Sequence, residues 1–62
     1  MNNKLREIRE KQNISREELA YKIGVTARYI AFLETGDRKP SLNVAYKIAA
    51  ILKRKVEEIF LP

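Results

Sequence analysis

The stretch "GVTARYIAFLETG", residues 24–36, decides how the rest of the chain is read. It runs from one glycine to another, and Thr26 offers a helix N-cap just inside the first. Taking Ala27 as the origin at about 100° per residue, Ile30 falls at about 300° and Leu33 at about 240°. The buried direction is therefore near about 270°. The opposite side collects Ala31 at about 40°, Thr35 at about 80°, Arg28 at about 100° and Phe32 at about 140°. Tyr29 lies on the flank at about 200°. Ala27, Arg28, Ala31, Phe32 and Thr35 are an odd set to leave in water, and the question is what they touch.

Upstream, "SREE" reads as a helix start. Ser15 as N-cap with Glu18 three residues on forms a capping box, and Ile14 with Leu19 forms a hydrophobic staple. Leu19, Ala20 and Ile23 mark one buried face, and Gly24 ends the helix in a left-handed conformation. Only Gly24 and Val25 then precede the next cap. So tight a turn sets two helices at a steep angle, and Ala20 is small enough to let them approach.

Downstream, Gly36 stops the helix, and "DRK" and Pro40 form a loop. Ser41 caps a fourth helix with Leu42, Ala45, Ile48, Ala49 and Leu52 on one side. The basic run Lys53, Arg54, Lys55 interrupts it, and Val56, Ile59 and Phe60 suit a short fifth helix. At the other end, Asn2 or Asn3 caps a first helix bearing Leu5 and Ile8, and Asn13 breaks it. Tyr21, Tyr46 and Phe60 are expected to pack. The expected fold class is all-α, a compact bundle of five helices.

A chain of 62 residues is expected to form one domain, residues 1–62, burying about 60% of its unfolded surface. With no cysteine and no histidine, neither a disulfide nor a Cys/His metal site can staple it. No metal and no cofactor are expected. The same lack, with Ser15 and Ser41 used as caps and no glycine-rich phosphate loop, argues against an enzyme. Thirteen basic and eight acidic residues give a net charge of +5, which favours an acidic partner. The longest uncharged run, residues 40–46, is too short to span a membrane. The N-terminus lacks the apolar core of a signal peptide, so no membrane partner and a cytoplasmic location are expected.

The run "SREELAYKIGVTARYIAFLETG" resembles the helix-turn-helix of the phage-repressor, Cro-like family (xenobiotic-response-element-type regulators). The shared residues are Glu18-Leu19-Ala20, Ile23-Gly24-Val25-Thr26, Ile30, and Leu33-Glu34 followed by Gly36. Arg9, "RKPS" after Gly36 and "VEEIF" near the end extend the likeness over nearly the whole chain. The resemblance implies a lambda-repressor-like DNA-binding domain. In it the second helix of the pair lies in the major groove of double-stranded DNA and the first crosses the backbone. It also implies a partly buried ion pair, Arg9 with Glu34, tying the first helix to the end of the third. Members often carry glutamine at the positions of Arg16 and Arg28 and serine at that of Ala31; this chain has two arginines and an alanine.

The opening question then has an expected answer: the outward face meets DNA. The family's base-facing positions correspond to Ala27, Arg28, Ala31 and Phe32. Arg28 can donate two hydrogen bonds to guanine O6 and N7, while Ala27, Ala31 and Phe32 can pack on thymine methyls. Phosphate contacts are expected from Arg16, Thr26, Thr35, Arg38, Lys39 and Ser41. The implied function is a sequence-specific transcriptional regulator, a repressor on a palindromic operator, working as a homodimer joined through the C-terminal Phe60/Leu61 region. No small-molecule effector is expected. The alternative is a protein-binding module of the same fold, of antitoxin or anti-repressor type, using the face of Tyr29 and Phe32.

Overall fold

The computed structural model describes residues 3–61. They form five helices and no strand: α1 (Leu5–Lys11), α2 (Arg16–Ile23), α3 (Ala27–Thr35), α4 (Leu42–Leu52) and α5 (Val56–Phe60). Hydroxyl caps begin the three central helices. Ser15 Oγ accepts from the Glu18 amide at 2.9 Å, Thr26 Oγ1 from Tyr29 at 3.0 Å, and Ser41 Oγ from Val44 at 3.2 Å. The Glu18 side chain reaches toward Lys22, at 4.0 Å, so it is the hydroxyl half of the expected box that is recorded.

The first helix keeps an asparagine at its start, one residue earlier than the cap position itself. Lys4 is the N-cap and has no side-chain cap bond. Asn3, one residue earlier, accepts from the Leu5 amide at 3.0 Å, and its Nδ2 donates to the Leu33 carbonyl at 2.7 Å. Asn3 thus ties the entry of α1 to the last turn of α3. Asn2 lies outside the described residues. At the ends, Gly24 (φ 80°) and Gly36 (φ 86°) take the left-handed conformation, and so do Asn13 (φ 59°) and Lys53 (φ 58°).

Leu5, Leu19, Ile30, Leu33, Ile48, Leu52 and Ile59 are fully buried, so all five helices feed one core. α2 packs on α3 and α4, α5 covers α4, and α1 closes over α3 and α5. Polar seams fix that closure. The Lys4 amide donates to the Ile59 carbonyl at 2.8 Å, and Gln12 Nε2 to the Leu52 carbonyl at 2.8 Å.

Three expected packing residues are exposed. Tyr21 is 88% accessible, because it projects on the far side of α2 from Leu19, Ala20 and Ile23. Tyr46 is exposed on the outer side of α4. Leu42, assigned to the buried side of α4, is 67% accessible: it is the first residue of the helix and overhangs the core. Phe60 is half-buried against the core.

Candidate nucleic-acid interface

The outward face of α3 is set by what holds α3 from behind. Ile30 and Leu33 anchor it with full burial. The turn before it is made by Gly24, whose amide donates to the Ala20 carbonyl at 2.8 Å, joined by that of Val25 at 3.0 Å. A Cβ added at Gly24 would meet nothing within 4 Å, so the requirement there is the positive φ alone. Ala20 is buried in the core on α2, which packs on both α3 and α4.

On the other side, Arg28 and Thr35 are exposed, and Ala31 and Phe32 are half-buried without packing against the core. Ala27 departs from the outward set. It is half-buried against the core, because it sits about 90° from the buried direction, beside Val25, which packs there too. Tyr29 is likewise half-buried on the core. The Arg28 guanidinium lies over Phe32, with Cζ 5.4 Å from the ring centroid. The face is thus narrower than the periodicity predicts: Arg28 and Phe32 together, with Ala31 beside them.

The expected phosphate ligands fall into four situations. Thr26 and Ser41 accept backbone amides as caps, which leaves each hydroxyl its own proton to donate. Arg38 and Lys39 are exposed in the loop after α3, where the Arg38 amide donates to the Phe32 carbonyl at 3.2 Å. Thr35 is exposed but bonded locally, its Oγ1 3.2 Å from the Phe32 carbonyl and 3.1 Å from Asp37 Oδ2. Arg16 is engaged by protein: its Nε donates to Glu34 Oε1 at 3.0 Å, and its side chain remains 41% accessible.

A family model described as helix-turn-helix matches residues 5–59. The chain belongs to the helix-turn-helix family. Its relatives carry the same description. An uncharacterised HTH-type transcriptional regulator of Archaeoglobus fulgidus is 46% identical over 61 residues, covering 98% of this chain and 86% of the relative. A regulator of that description from Methanocaldococcus jannaschii, MJ0272, is 43% identical over 98% of this chain and 92% of its own length. YgzD of Bacillus subtilis is 40% identical over 97% of this chain and 91% of its own length.

In this helix-turn-helix, α2 and α3 are the paired helices and α3 is the member with an unpaired cationic face. On α1 and α2 most bases have acidic partners one turn away: Arg6 with Glu10 at 3.1 Å, Lys11 with Glu7 at 3.4 Å, and Lys22 with Glu18 at 4.0 Å. Among the described residues, Arg28, Arg38 and Lys39 have no carboxylate within 4.0 Å. Lys4, Lys47, Lys53, Arg54 and Lys55 likewise lack one, so α3 and its loop carry some of the unpaired bases among the described residues and not all of them.

The expected pair of Arg9 and Glu34 is present, but Arg16 as its third member and the bond from Asn3 to Leu33 were not foreseen. The Arg9 Nε donates to Glu34 Oε2 at 2.7 Å and its Nη1 to the Ile14 carbonyl at 2.8 Å, but the same carboxylate also accepts from Arg16. Glu34 has a side chain only 3% accessible, and it joins α1, α2 and α3. The departure from glutamine at position 16 was the available signal. The bond from Asn3 to the Leu33 carbonyl had none, since it depends on where the chain crosses. Among the described residues, no helix is long and apolar enough to cross a membrane.

Proposed function

We propose that this helix-turn-helix regulator reads double-stranded DNA with α3 in the major groove and acts as a repressor. The observation that carries this reading is the placement of Arg28: exposed, without a carboxylate partner among the described residues, and on the side of α3 turned from Ile30 and Leu33. Its guanidinium supplies the fork that matches guanine O6 and N7, and Ala31 beside it supplies a methyl-sized apolar contact for thymine. Thr26, Ser41, Arg38 and Lys39 border that face as phosphate ligands. Arg16 contributes through the terminal nitrogens that Glu34 does not engage.

The proposal extends to a homodimer on a palindromic operator. One small module buries too little surface for tight binding, and two engaging half-sites about 34–36 Å apart double it. The apolar end of a groove of about 550 Å³ between the start of α4 and α5, whose other edge is Arg38 and Lys39, offers a contact between copies. Leu42 and Leu61 flank it, Leu61 being 55% accessible, with Val56 and Phe60 beneath.

The test is a salt titration of binding to mixed-sequence duplex. Neutralising phosphates predicts a log–log slope of about −0.9 per phosphate contacted. A flat dependence, or no binding at low salt, contradicts the proposal.

A further inference from the structure

Among the described residues, Phe32 is half-buried yet is not one of the side chains packed against the core. Part of its cover is the guanidinium of Arg28, one turn earlier, at 5.4 Å from the ring centroid. That geometry is a cation–π contact. The backbone beneath the ring is fixed too, since the Phe32 carbonyl accepts from the Arg38 amide at 3.2 Å and faces Thr35 Oγ1 at 3.2 Å.

An exposed arginine with nothing to hold it samples many rotamers, and ordering it at the moment of binding lowers affinity. A guanidinium is planar and stacks on an aromatic face, which removes much of that freedom in advance. With one face covered, its in-plane N–H groups remain available, and those are the groups a guanine edge requires.

We infer that Phe32 is a positioning residue for Arg28: its ring holds the guanidinium as a preformed fork on the outward face of α3 and so sets how strongly the protein discriminates guanine. This rests on the proposed entry of α3 into the major groove. It gives Phe32 a role distinct from touching a thymine methyl, and it explains a large aromatic side chain that is neither core nor fully exposed.

Two variants and two measurements test it. Phe32→Leu keeps apolar bulk and removes the ring face; Phe32→Tyr keeps the face. In the DNA-free protein, proton spectra are expected to show ring-current displacement of the Arg28 side-chain resonances in the parent and in Phe32→Tyr, and none in Phe32→Leu. In competition binding, the guanine read by Arg28 is the position whose preference disappears in Arg28→Ala. Preference there for guanine over adenine is expected to fall about two- to fivefold in Phe32→Leu and to persist in Phe32→Tyr. Any loss on mixed-sequence DNA in Phe32→Leu should be smaller than the loss at that guanine. Absence of the ring-current displacement, an undiminished guanine preference in Phe32→Leu, or equal loss on every duplex overturns the inference. If the displacement is present but the parent binds no duplex at low salt, the groove reading itself fails and takes this role with it.

Discussion

Arg16 Nε and Glu34 Oε1 meet at 3.0 Å across the gap between the start of α2 and the end of α3. The other oxygen of the same carboxylate takes Arg9 at 2.7 Å. One acidic side chain thus locks the two helices of the motif to each other and to α1. The two arginines are unequal partners, because Arg9 is buried whereas Arg16 is partly exposed.

That inequality predicts unequal losses. Glu34→Ala leaves Arg9 buried without its carboxylate and is expected to cost about 3–5 kcal/mol, read from the shift in urea unfolding. Arg16→Ala removes a partner that is itself 41% accessible and leaves Glu34 still bound to Arg9, so it should cost clearly less than Glu34→Ala. Similar losses from the two substitutions would contradict the assignment of Glu34 as a buried anchor.

Arg16→Ala has a second readout. If its terminal nitrogens meet a phosphate, affinity should fall by a similar factor on every duplex tested, and the salt slope should become shallower by about 0.9. A loss confined to one sequence would assign Arg16 to bases instead.

Lys53 ends α4 in a left-handed conformation, φ 58°, where a side chain strains the backbone. Lys53→Gly is expected to stabilise the fold by about 0.5–1 kcal/mol in thermal unfolding. The matching change at Asn13, φ 59°, should yield less, since asparagine already tolerates that region. Gly24→Ala should destabilise by about 1–2 kcal/mol, through conformation and not through a clash. Unchanged stability in Lys53→Gly would count against strain at that position.

Arg28→Lys retains the charge and loses the fork and most of the stacking. Mixed-sequence affinity and its salt slope should therefore hold, while discrimination at one guanine falls by about 1–3 kcal/mol in competition binding. Retained discrimination would show that charge alone suffices at position 28.

The helix starts were legible because hydroxyl caps act locally: Ser15, Thr26 and Ser41 each accept the amide three residues on. The inward sides of α2, α3 and α4 were legible because burial follows helical periodicity, as Leu19, Ile30 and Ile48 show. Periodicity served less well at helix ends. It gives a direction but no depth, so Ala27 and Leu42, each the first residue of its helix, exchanged the expected inside and outside. Contacts between distant segments carried the least signal. The bond between Arg16 and Glu34, and that from Asn3 to Leu33, exist only once the helices have crossed. The stack of Arg28 on Phe32 lies one turn apart on a single helix, and the spacing of the two residues alone makes it possible.

The most direct test of the central claim, that the core-averted side of α3 enters the major groove, is selection of bound duplexes from a random-sequence pool by the parent protein and by Arg28→Ala. The parent is expected to enrich two inverted half-sites with centres about 10 base pairs apart, each containing a guanine, and Arg28→Ala to lose that guanine while keeping the rest. Failure of the parent to enrich any sequence, or an unchanged guanine in the variant's sites, would contradict it.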